Sequence, residues 1–168
     1  MSEIIEQKAN SLIMQVKIDL SGHSLMEIEN RVLDACNEVG CLATEKALEK
    51  FDADGSPIQL GAQKSTSRDQ SNKEDQTPYG VVEIKRHVYQ TSQGGKIYYP
   101  LEDKANIIQG ATPKFAQQLS HKYSTMNAPT VCRDLLENHN RKISHYYVQD
   151  ATEWVDSIAQ EKEERLPI

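Results

Sequence analysis

Residues Ala111 to Asp150 read ATPKFAQQLSHKYSTMNAPTVCRDLLENHNRKISHYYVQD, a pattern of helix, stop, helix, stop and helix. Thr112 followed by Pro113 suits an N-cap and first helical position. Phe115, Leu119, Tyr123 and Met126 then supply one apolar stripe. Asn127-Ala128-Pro129 restarts the chain into a short helix bearing Val131, Leu135 and Leu136. That helix ends near Asn138-His139-Asn140, because asparagine tolerates the left-handed conformation. From about Ser144 a longer helix carries Tyr147, Val148, Ala151, Val155 and Ile158 at core spacing, with Trp154 beside them. Two helices joined by a short turn, the second the longer, suggest a helix-turn-helix. The second helix of such a unit sets its N-terminal residues against base edges, here Arg141, Lys142, His145, Tyr146 and Gln149, all off the apolar stripe. Spacing alone equally allows NHNRK to be a solvated turn in a helical bundle.

Upstream, Val82, Ile84 and Val88 share one face of a strand, and Glu83, Lys85 and His87 the other. The turn Ser92-Gln93-Gly94-Gly95 leads to Lys96-Ile97-Tyr98-Tyr99, so a β-hairpin is expected, resting on a helix because two strands alone are marginal. Lys85, Arg86 and His87 are expected to face water. FDADGSPIQLGAQKSTSRDQSNKEDQT, from Phe51 to Thr77, has few apolar residues and reads as a mobile linker. Ser24 and Glu27 form a capping-box pair, followed by Leu25, Ile28, Val32, Ala35, Val39 and Leu42 in a heptad-like seam interrupted by Gly40. Ile5, Ala9, Leu12, Ile13, Val16 and Leu20 predict an earlier helix, broken at Gly22.

The chain has 168 residues, room for one domain or two small ones. No apolar run approaches the ~18 residues of a membrane span, and the acidic start is unlike a signal peptide, so the expected compartment is the cytoplasm. The net charge of -6 is unevenly spread. Residues 1–50 hold five Lys/Arg against nine Asp/Glu, whereas residues 112–147 hold five against two. Local sign governs steering toward phosphate. Cys36, Cys41 and Cys132 form no C-x-x-C pair, and the five histidines lack ligand spacing, so neither metal nor cofactor is expected and the thiols read as free and buried. Asp134 with Glu137, and Asp150 with Glu153, read as solvated helix faces rather than a metal-holding catalytic set.

The blocks TPYGVVEIKRHVYQTSQGGKIYYPLE (Thr77 to Glu102) and Ala111 to Asp150 resemble the ISKra-type insertion-sequence transposases, over about Gly55 to Glu163. RHVYQTSQGG and SHKY…ENHNRK are the most specific parts. The resemblance implies an N-terminal helical segment, a ribbon-like hairpin and a helix-turn-helix-like region preceding an RNase H-like nuclease domain. It thus implies DNA recognition around Arg141 to Gln149, with the catalytic domain expected beyond this chain, as in a truncated or split reading frame. Relatives often carry cysteine near Thr91 and Tyr99; here a ribbon-type metal site is lost and the hairpin must hold by packing.

The expected architecture is α+β and mostly helical, with one β-hairpin. It comprises a helical region 1–50, a disordered linker 51–78, and a hairpin plus helix-turn-helix-like DNA-binding domain 79–168. The expected function is recognition of insertion-element ends in double-stranded DNA, with no catalytic residue and no strand cleavage by this chain alone. The alternatives are an interaction protein that pairs with a full-length transposase, or with itself, through residues 25–42, and an inactive gene remnant.

Overall fold

Eleven elements occupy residues 1–164, the residues that the computed structural model describes. The hairpin β1 (Ser2–Lys8) and β2 (Ser11–Val16) precedes the long helix α1 (Leu25–Glu49). Next comes a four-stranded antiparallel sheet in sequence order, β3 (Ile58–Leu60), β4 (Gln63–Gln76), β5 (Val81–Thr91) and β6 (Gly94–Tyr98). The short α2 (Pro100–Ala105) leads to α3 (Pro113–Tyr123), α4 (Ala128–His139) and α5 (His145–Glu164). The α+β class holds, but "mostly helical with one β-hairpin" does not: the described residues form six strands in two separate sheets beside five helices. Residues 165–168 of the expected third region lie outside the described residues.

Two corrections account for the extra strands. Where a helix over 4–20 was expected, β1 and β2 pair with Ile4 opposite Met14, Lys8 opposite Ser11 and a bulge at Ile5. Leu12 and Met14 are half-buried while Ile13 is exposed, the period of a strand lying across α1. The expected linker 51–78 is largely β4, held to β5 across eleven register pairs. A strand this polar is ordered by its ladder and by what its few inward side chains meet. Asp75 is fully buried with the Lys73 ammonium 2.9 Å away, and Lys73 also lies 2.7 Å from Glu102 on α2. Glu102 pairs with Arg86 as well, and the Tyr99 ring covers that guanidinium at 3.7 Å.

β5 follows its expected alternation through Val82 and Ile84, with Arg86 in the third inward place. The β4 register shifts between Ser67 and Asp69, and beyond it Tyr89 rather than Val88 is fully buried, its hydroxyl donating to the Ser56 carbonyl at 2.8 Å. The turn at Ser92-Gln93 closes through Gly94 at φ 82, a region that favours glycine. Thr91 Oγ1 donates to the Gly94 carbonyl across this turn, and the Tyr99 ring just beyond β6 lies over the Arg86 guanidinium.

α1 starts as expected. Ser24 Oγ accepts the Glu27 N–H at 3.3 Å, while the returning Glu27 carboxylate takes the N–H of His23 at 2.9 Å. The helix packs on β5 with Leu48 inside a cluster of Val82, Ile84, Leu101 and Ala105. A second cluster joins α3, α4 and α5 through Phe115, Leu119, Val131, Leu135, Val148 and Ala151. Each of the larger of these side chains stabilises the fold by about 1.5–3 kcal/mol relative to exposure. Leu136 and Trp154, read as part of or beside that core, are half exposed, and Met126 lies beyond α3 with more than a third of its surface in solvent.

Candidate nucleic-acid interface

The bundle α3–α5 is built by its punctuation. Asn127 Oδ1 accepts the Thr130 N–H at 3.0 Å to start α4, with Pro129 in the first turn. Asn140, at φ 50, stops it in the left-handed conformation. The Arg141 N–H donates back to the Leu135 carbonyl at 2.9 Å, turning the chain out of the helix. Ser144 then caps α5, its hydroxyl accepting the Tyr147 N–H at 3.1 Å. Ile143 packs on the core between these two stops, so the α4–α5 turn is anchored from inside. Tyr147 holds the far side: its hydroxyl donates to the Gln109 carbonyl at 3.1 Å, and burial pushes its pKa up to about 12.

The five residues expected to meet DNA separate into two groups. Lys142, His145, Tyr146 and Gln149 are exposed on the turn and the first two turns of α5, Tyr146 to 76%. No acidic residue stands in the first turn of that helix. Arg141 is not with them. It is buried at 6% exposure, with Nη2 donating to Gln76 Oε1 at 2.6 Å and Nε to the Thr77 carbonyl at 3.2 Å. Its guanidinium lies 5.2 Å from the centroid of the Phe115 ring, and burial lowers its pKa from the ordinary arginine value. Composition around NHNRK gives no sign of this, because the partners lie more than sixty positions upstream on β4 and the turn after it.

Of the hairpin residues expected to face water, Lys85 does; Arg86 is buried, and His87 is tied to Asp52, whose Oδ2 lies 2.8 Å from Nδ1 and also accepts the His87 backbone N–H at 3.0 Å. Asp134 is engaged by Lys122 at 2.5 Å and by the Asn138 amide at 2.8 Å, while Glu137 on the same helix is exposed. Among the described residues no group of three or more His, Cys, Asp or Glu side chains is placed to hold a metal ion, and no helix is long and apolar enough to cross a membrane. Cys36 is exposed rather than buried, and Cys41 and Cys132 are half-buried; all three are free.

The seam 25–42 is only partly available for pairing. Leu25 is 68% exposed, but Ala35 is buried within the chain and Val39 and Leu42 are half-buried. The sequence matches no family model and no curated protein.

Proposed function

We propose that this chain supplies DNA recognition to an insertion-sequence transposase of the ISKra type, binding element ends in the cytoplasm through α4, its following turn and the start of α5. The observation that carries the reading is the exposed set Lys142, His145, Tyr146 and Gln149, at the beginning of a helix that has no acid in its first turn and whose other face is core. Its chemistry suits the task. Lysine contributes salt-sensitive attraction to phosphate, glutamine can bridge adenine, and a tyrosine hydroxyl can bond phosphate oxygen. The locally basic balance of residues 112–147 would steer a duplex toward this end of an otherwise acidic chain. Strand cleavage is assigned to none of the described residues.

The test is a titration of the purified chain against labelled terminal repeats of its own element, with a scrambled duplex as control, at two salt concentrations. Tighter, salt-sensitive binding to the repeats is expected. Equal or absent binding rejects the reading.

A further inference from the structure

We infer that Arg141 is a positioning residue that sets how α5 is presented to a ligand, and not a DNA contact; for the ligand this rests on the reading above, for the positioning it does not. The guanidinium is buried and, among the described residues, has no carboxylate hydrogen-bond partner and bonds only Gln76 Oε1 and the Thr77 carbonyl. A buried charge paired only with neutral acceptors is a poor source of stability. What it provides is direction, since a planar fork with two donors engaged fixes the angle between the groups that it joins.

Those groups form a junction. Gln76 ends β4, and its backbone N–H donates to the Gly110 carbonyl at 2.6 Å while its own carbonyl accepts the Thr112 N–H at 2.9 Å. The strand end is thereby tied to the entry of α3, and through Arg141 to the exit of α4. The opposite side of the same turn is held by α1. The Asn140 amide donates to Asp34 Oδ1 at 2.8 Å, and the Asn37 amide donates to the His139 carbonyl at 2.9 Å. Three consecutive residues, His139, Asn140 and Arg141, are therefore fixed from α1 on one side and from β4 on the other. Lys142 is the next residue and is exposed. The turn is rigid where it meets the rest of the protein and free where it meets solvent, an arrangement that holds a reading surface in one orientation without contributing atoms to it.

The experiment compares wild type with Arg141→Met, Lys142→Ala and the double variant Asp34→Ala, Asn37→Ala. The double variant loosens the opposite side of the turn if Arg141→Met fails to fold. Without DNA, amide hydrogen exchange is expected to quicken at residues 76–77 and 140–146 in Arg141→Met, with the α3–α4 core unchanged; exchange in that segment no faster than in wild type, in both loosened proteins, overturns the inference. With DNA, Arg141→Met is expected to lose ten-fold or more in the ratio of terminal-repeat to scrambled affinity while keeping the wild-type salt slope. A slope shallower by about one, as Lys142→Ala is expected to give, would place Arg141 on a phosphate and overturn it too. If wild type does not discriminate between duplexes but Arg141→Met still loosens the turn, positioning stands and only the DNA reading fails.

Discussion

The ring of Tyr79 lies against Gly40 so closely that a Cβ on the glycine would stand 2.2 Å from the ring's Cγ. Gly40 sits inside α1, where glycine ordinarily costs about 1 kcal/mol relative to alanine. Its neighbour explains it: the turn Thr77–Gly80 is closed by Thr77 Oγ1, which accepts the N–H of Gly80 at 3.0 Å, and this sets the Tyr79 ring on the helix backbone. Gly40→Ala is therefore expected to destabilise by about 1–3 kcal/mol through overpacking, despite the better helix propensity. Urea midpoints test it. The double variant Gly40→Ala, Tyr79→Ser should regain most of the loss; a stabilised single variant would show that the ring gives way freely.

β4 offers a second test, of order rather than stability. Its fourteen residues hold no large apolar side chain, yet Ser65 and Asp75 are buried and the ladder to β5 runs from Ser65 to Gln76 with a break at Arg68. Backbone amides donated to β5 should exchange slowly, and cleavage by trypsin after Lys64, Arg68 and Lys73 should lag far behind cleavage of the unfolded chain. Rapid exchange throughout 63–76 would restore the mobile-linker reading.

These two regions show what the sequence displayed and what it concealed. The α3–α5 bundle was legible because its apolar spacing and its stops agree: Pro113, Asn127 and Asn140 stand where the structure starts or ends a helix. Leu12-Ile13-Met14 concealed the first hairpin, since three consecutive apolar residues fit either period and only packing against α1 selects a strand. β4 left no hydrophobic signal because its inward positions are serine or ionic, and Lys73 and Asp75 find their partners on each other and on α2. Arg141 was grouped with Lys142 by adjacency, and the distinction between them depends on Gln76 and Thr77, which no local pattern connects to the turn.

Acid should weaken the α3–α4 contact in a predictable direction. The Lys122 ammonium, hydrogen-bonded to Asp134, holds that carboxyl below its ordinary value of 3.8, with the Asn138 amide assisting. Because the folded-state pKa is depressed, the contribution is present above the unfolded value and is lost as pH falls through the folded one. Asp134→Asn is therefore expected to cost up to about 1 kcal/mol at neutral pH, and the difference from wild type should shrink as pH drops below 3.8. Parallel stability curves down to low pH would show that the pair contributes nothing in the folded state.

Lys142 and Gln149 should fail in different ways if the start of α5 reads DNA. Lys142 is a flexible point charge on the exposed turn, so Lys142→Ala removes an attraction to phosphate that is independent of sequence. Affinity should fall alike for terminal repeats and scrambled duplex, with the salt slope shallower by about one. Gln149 lies one helical turn beyond His145, exposed between the half-buried Tyr147 and Asp150 on one side and the buried core of α5 on the other. As a neutral donor and acceptor it can distinguish base edges, so Gln149→Ala should leave the slope intact and cost about 1–3 kcal/mol on the preferred sequence alone. Binding titrations of both variants on both duplexes, across a salt series, separate the two effects. Equal behaviour of the variants would mean that this end of the helix attracts DNA without reading it, and would move sequence recognition to another surface of the chain.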